Sequence, residues 1–102
     1  MKLEDLEVYR MAMKLGEDVW MIVDRQDAFV KNTLGYQITR SADSVALNIS
    51  EGFGRYHYKE NKNFCLYSRG SLSETKTCLT KFKNRQLIDE VVFNELITEI
   101  EI

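Results

Sequence analysis

Gln37–Arg55 reads QITRSADSVALNISEGFGR, and the fold follows from its periodicity. Ile38, Ala42, Val45 and Ile49, with Leu34 before them, recur at three- and four-residue spacing and predict one face of an α-helix over about Thr33–Gly52. A second ordered face lies about 120° away. Arg40, Ser44, Asn48, Glu51 and Arg55 fall within about 80° of one another there, joined by Gln37. Gly52 and Gly54 are the expected terminators, in left-handed conformation, with Phe53 packed back between them as a plug. A helix with two organised faces predicts a bundle: one face for the core, the other for a network, a ligand or solvent. Glu51 is placed to pair with Arg55 at i+4, and Asn48 to bridge to Glu51 at i+3.

The rest of the chain repeats the helical pattern. Val8, Ala12, Leu15, Val19 and Ile22 make an apolar stripe within about 80° on a first helix over Glu4–Asp24, widened by Tyr9 and Trp20. Gly16 interrupts it at a cost of about 1 kcal/mol, which predicts close packing at that point. Residues 24–33 read as a polar connection, with Asp27 and Asn32 as N-cap candidates and Phe29 and Val30 folding back onto the bundle. A third helix is predicted over Lys59–Asn84. Phe64, Ser68, Ser71, Leu72, Thr75, Leu79 and Phe82 share one face of it, mixing aromatics with small hydroxyl residues. Gly70 beside Ser71 predicts a tight helix crossing. Asp89 is the expected cap of a short fourth helix from Glu90, with Val92, Leu96 and Ile100 inward. The expected fold is all-α: one domain, residues 1–102, an antiparallel up-down-up-down four-helix bundle with a short last helix.

Composition excludes several alternatives. The chain has 102 residues, no proline, five glycines and 44% hydrophobic residues, as a helical globular domain requires. No apolar run reaches the roughly 18–20 residues of a membrane span. Cys65 and Cys78 are 13 positions apart, about 140° apart on one helix, so they do not bridge within it; no CxxC or Cys/His cluster occurs. A reduced, cytoplasmic protein without metal or cofactor is expected.

Charge is unevenly placed. Residues 31–85 carry 10 basic and 4 acidic groups, whereas both ends are acidic. Lys62, Arg69, Lys76 and Lys83 recur every seven residues and form one basic ridge about 32 Å long on the third helix. Such a ridge suits either a phosphate backbone or plain solvation, with acids of the first and fourth helices available to neutralise it. Tyr56, His57 and Tyr58 offer either base stacking or loop packing. His57 is the only histidine, and Cys65 lies about 12 Å away along a helix axis, which rules out a direct dyad. No phosphate loop, zinc-protease or serine-hydrolase motif occurs. A lone Glu51 without a nucleophile or second carboxylate gives no catalytic constellation, and no enzyme is expected.

The segments LEVYRMAMKL, QITRSADSVALNISEGFGR and FCLYSRGSLSE resemble the four-helix-bundle proteins encoded in intervening sequences of bacterial 23S ribosomal RNA genes. The most specific positions are Gln37, Arg40, Ser44, Asn48, Ile49, Glu51, Gly52 and Arg55, then Gly70, Ser71 and Glu74. The resemblance implies an antiparallel bundle that assembles into a ring-like homopentamer. It is also similar in fold to accessory variability proteins of diversity-generating retroelements, which bind nucleic acid and a reverse transcriptase. It implies no enzymatic activity. The family's fourth helix usually runs further than the point reached at Ile102: either the helix is shortened or its remainder lies beyond residue 102, and missing turns that contribute to the interface would weaken the pentamer. On this reading Arg40, Arg55, Lys62, Arg69, Lys76 and Lys83 contact RNA or DNA, and Asn48, Glu51, Ser71 and Glu74 hold helices two and three together. The alternative is an oligomer for structural or protein–protein contacts, with no nucleic-acid affinity.

Overall fold

The computed structural model describes residues 1–55 and 58–101, and of residues 58 and 59 the backbone alone. A single 3₁₀ turn, Leu3–Asp5, precedes helix α1, Glu7–Asp24. Helix α2, Tyr36–Phe53, is entered through one α-turn, Ala28–Val30, and a five-residue π-turn, Lys31–Gly35. Helix α3 is Tyr58–Asn84 and helix α4 is Glu90–Glu101.

Pairwise contacts give the topology. Residues late in α2 meet residues early in α3: Asn61 donates to the Gly52 carbonyl, Ser68 to that of Val45, and Thr75 lies against Ser41. Lys76 and Lys83 of α3 meet Glu101 and Phe93 of α4 in the same reversed order. Lys14 reaches Glu99 and Gln26 reaches the Leu87 carbonyl, so α1 and α4 also run oppositely. The bundle is therefore antiparallel, up-down-up-down.

The main core is Leu15, Val19, Leu34, Ile38, Ala42, Cys78, Leu79, Phe82 and Leu96, one cluster fed by all four helices. A second, smaller cluster of Ala12, Val45 and Ala46 lies toward the other end, with Tyr9, Ile49 and Leu72 against it. The reason is register. The 12 residues of α4 reach about 18 Å, against about 40 Å for the 27 residues of α3. The core is thus four-layered at one end and three-layered at the other.

Several details differ from the periodicity. Val8 and Trp20 are exposed, because the inward arc of α1 is narrower than its apolar arc. The connection is shorter than 24–33. Asp27 accepts from the Val30 N–H at 2.9 Å and starts helical backbone at Ala28, leaving Asn32 inside the π-turn. Val30 packs on the core, but Phe29 points outward. Asp89 caps α4 through the Val92 N–H at 2.8 Å.

The glycines also act differently from expectation. Neither Gly52 nor Gly54 is left-handed. Gly54 ends α2 in right-handed geometry (φ −78°). Gly52 instead supplies room, since a Cβ there would sit 3.0 Å from Phe64 Cβ. Phe53 remains partly exposed rather than plugging the end. Gly16 does mark a close approach: a Cβ there would sit 3.0 Å from Asp43 Oδ1. Gly70 does not: among the described residues, nothing beyond its own helix backbone lies within 4 Å of where its Cβ would be. Gly70→Ala is therefore expected to stabilise the chain by about 0.5–1 kcal/mol, through lost backbone freedom in the unfolded state. Urea denaturation checks this; destabilisation would reveal a neighbour at that face.

Candidate functional site

The ordered polar face of α2 divides into two zones. Ser44 and Asn48 are half-buried; Gln37, Arg40, Glu51 and Arg55 are exposed. Ser44 and Ser71 share a hydrogen bond across the α2–α3 interface. Asn48 Nδ2 donates 2.8 Å to the Ser44 carbonyl rather than bridging to Glu51. Glu51 pairs with Arg55 at 2.5 Å, and the Arg55 guanidinium also lies 5.3 Å from the Phe64 ring. Arg40 sits 5.6 Å from the ring of Tyr36. The family positions Gln37 and Glu74 are exposed and make no side-chain hydrogen bond among the described residues. Gly52 and Gly70 act as described above.

Behind this face runs a seam of hydroxyls that sequence reading recognised only on the α3 side. Ser41, 2% exposed, donates to the Ile38 carbonyl at 3.1 Å. Thr75 is fully buried, 2.9 Å from Ser41 Oγ and 2.8 Å from the Ser71 carbonyl. Ser68 donates to the Val45 carbonyl at 3.0 Å. Small hydroxyl side chains let the two backbones approach, and each buried hydroxyl finds an acceptor on its own or the neighbouring helix. α2 and α3 accordingly form the most extensive helix pair. This seam holds the bundle together; it contains no titratable group.

The basic ridge of α3 lies on its other flank. Arg69 and Ser71, two residues apart, point about 160° away from each other. Lys83 covers the Phe93 ring at 4.4 Å, and Lys76 pairs with Glu101 at 2.8 Å. Lys62 and Arg69 are exposed and make no ion pair among the described residues. Four of the six expected phosphate contacts are thus engaged within the chain, and Arg40 and Arg55 stand on a different helix flank from the ridge.

Beside Arg69 an apolar groove of about 400 Å³ opens between α1 and α3. Val8, Met11, Leu15, Ile49 and Leu72 line it, and Glu99 and Ile100 of α4 close one end. Lys14 bonds both Asp18 and Glu99 on its rim, which holds its ammonium well above its ordinary pKa. Cys65 is exposed at this groove and Cys78 is buried; both are free thiols. Burial, helped by Glu74, pushes the Cys78 thiol up.

The opposite face, made by α1 and α2, exposes Met13 (44%), Trp20 (57%), Tyr36 (58%) and Leu47 (68%). Asp43 lies among them in a shallow cleft with Glu17 and Gly16. Partial burial, and then Glu17, raises the Asp43 pKa. Sequence reading assigned Trp20 to the core and gave Met13, Tyr36 and Leu47 no role. A signal was present: Tyr36 and Leu47 are apolar positions outside the Ile38–Ala42–Val45 stripe.

Tyr56 and His57 lie outside the described residues, as do the side chains of Tyr58 and Lys59. Among the described residues no group of His, Cys, Asp and Glu suits a metal ion, and no helix is long and apolar enough to cross a membrane.

These features define a class: an antiparallel four-helix bundle with a hydroxyl-bonded central pair, an open groove and one exposed apolar face. The family follows from the sequence match over residues 4–102. The chain belongs to the family of 23S rRNA-intervening sequence proteins. No curated protein matches it.

Proposed function

We propose that this chain acts as a self-associating helical scaffold rather than as a catalyst, and that α1 and α2 provide its principal contact face. The observation that carries this reading is the exposed set Met13, Trp20, Tyr36 and Leu47. Contiguous aromatics and methionine at a surface mark protein interfaces, and water contact at such a patch is costly. The outer face of α3 differs from it in character. Leu66, Tyr67 and the unobstructed Gly70 lie there with Lys81 and Glu74. The α1–α2 face meeting this α3 face on the next copy is a heterologous contact, which closes into a ring when the rotation permits. The homopentamer implied by family resemblance is one such ring.

Nucleic-acid binding has weaker support. It needs the six cations to serve one surface, whereas four have partners within the chain, and two of those four, Arg40 and Arg55, stand on a separate flank from the ridge. Multi-angle light scattering is expected to give a mass several times the 12.0 kDa of one chain. Trp20→Glu with Leu47→Glu is expected to return it to monomer without loss of helical circular dichroism. A monomer at high concentration in the unaltered protein would refute the scaffold. Anisotropy with labelled RNA across a salt series separates the alternative: phosphate binding gives log affinity falling linearly with log salt.

A further inference from the structure

Gly70 stands in the middle of α3 without a reason inside the chain. Among the described residues no glycine takes a positive φ, so the backbone does not demand one there. Nor does packing, since nothing beyond its own helix backbone comes near the place of its Cβ. A glycine inside a helix nevertheless costs about 1 kcal/mol against alanine. Leu66, Glu74, Thr77 and Lys81 share its face within about 80° and are exposed. Tyr67 stands beside them, 57% exposed. α4 meets α3 at Lys76 and Lys83, about 120–140° round the helix from Gly70, and leaves this face alone. Along the face the surface is flat at Gly70 and charged further on, with Glu74 about 6 Å and Lys81 about 16 Å away along the axis. Neither is ion-paired among the described residues.

The α1–α2 face carries the complementary order. Tyr36, Arg40, Asp43 and Leu47 fall within about 60° on α2 and are exposed. Trp20 of α1 shares a cleft with Tyr36, and Glu17 shares the next cleft with Asp43. No cation lines the cleft of the two acids. From the aromatic pair, Arg40 is about 6 Å along the axis and Asp43 about 10 Å. We propose that Gly70 seats Trp20 and Tyr36 of a second copy of this chain, with Glu74 against that copy's Arg40 and Lys81 reaching its Glu17 and Asp43. The seat rests on the self-association proposed above and adds its register and direction: α3 of one copy runs parallel to α2 of the next. With Gly70 at Tyr36, Glu74 falls level with Arg40, and Lys81 falls one turn past Asp43, within reach of its long side chain. In the reversed direction Lys81 passes the start of α2 and leaves both acids unanswered. The absent Cβ lets the rings approach the helix backbone, and the charges fix the direction.

The test blocks each face separately in the full chain and reads mass by light scattering. Gly70→Leu fills the seat; Trp20→Glu with Leu47→Glu spoils the face that enters it. Each variant alone is expected to be monomeric. Mixed, they retain one good face each, and a dimer of one chain of each kind is expected, with nothing larger. Leucine favours the helix over glycine, so loss of folding does not explain a monomeric Gly70→Leu chain. Urea denaturation of Gly70→Leu in the Trp20→Glu, Leu47→Glu background, where assembly contributes nothing, is expected to show a fold no weaker than that background. Register is read by exchanging charges. Arg40→Glu is expected to weaken assembly roughly tenfold, less at high salt, and Arg40→Glu with Glu74→Arg to restore it. A Gly70→Leu chain that assembles like the unaltered protein would overturn the seat while leaving the scaffold standing. So would a mixture that stays monomeric, which would mean that the two faces do not meet. Failure of the charge exchange to restore assembly would overturn the register. An unaltered protein that is monomeric at high concentration would refute the scaffold, and the seat with it.

Discussion

Phe82→Ala is expected to lower the unfolding free energy by about 3–5 kcal/mol, a large share of what a domain of this size possesses. Phe82 is fully buried near the C-terminal end of α3 and belongs to the cluster that joins Leu15, Val19, Ile38 and Leu96. Truncation removes the transfer free energy of the ring and leaves a cavity that helices on every side must collapse to fill. The four-layered end of the bundle contains most of the large buried side chains, so its loss is felt globally. Leu72→Ala, at the three-layered end, is expected to cost less, because that side chain is only partly buried beside an open groove. Urea denaturation followed by circular dichroism measures both. Equal costs would contradict the tapered core.

Thr75→Val is expected to destabilise by about 1–3 kcal/mol, although valine nearly preserves the shape. The threonine hydroxyl sits between Ser41 Oγ and the Ser71 carbonyl in the fully buried α2–α3 seam. Removing it leaves Ser41 with an acceptor site facing methyl groups. Ser41→Ala alone is expected to cost less, because Thr75 keeps the Ser71 carbonyl as its acceptor. The double variant is then expected to be less destabilised than the two single costs predict together, by about 0.5–3 kcal/mol of coupling. Strict additivity in the double-mutant cycle would show that the two hydroxyls do not act together. Ser44→Ala, nearer the surface of the same seam, is expected to have the smaller effect, since water can replace its partner.

Much of the fold was legible along the chain. The stripe Leu34–Ile38–Ala42–Val45 is buried as its spacing requires, and so are Ser68, Thr75, Leu79 and Phe82 on α3. Periodicity reports a helix's inward direction because the core must take the apolar side. It does not report how wide the inward arc is. Val8 and Trp20 fall on the apolar side of α1 and yet are exposed, because α2 and α3 cover only part of that arc. Gly70 illustrates the same limit. Small size beside Ser71 suggested a close neighbour, but within the chain that side of α3 faces outward.

The candidate surfaces were less legible. The heptad of Lys62, Arg69, Lys76 and Lys83 was plain in the sequence, but its division into two engaged and two unpaired cations depends on where α4 lies. Likewise, the ridge of Arg40, Ser44, Asn48, Glu51 and Arg55 is a single line on a helical wheel. Packing splits it: α3 meets Ser44 through Ser71, Asn48 is half-buried beside it, and the charged ends stay outside.

The sequence by itself determined the helices, the inward stripes, the cap at Asp89, and membership of the family, and it narrowed the first connection's cap to Asp27 or Asn32. These are local or periodic properties, written in residue spacing and in the hydrogen-bonding habits of single side chains. The tertiary structure alone decided the hydroxyl seam, the groove between α1 and α3, the engagement of Lys76 and Lys83, and the exposure of Trp20 and Leu47. Each of those depends on the relative register of two helices, which is set by the sum of many side-chain contacts and by no single residue.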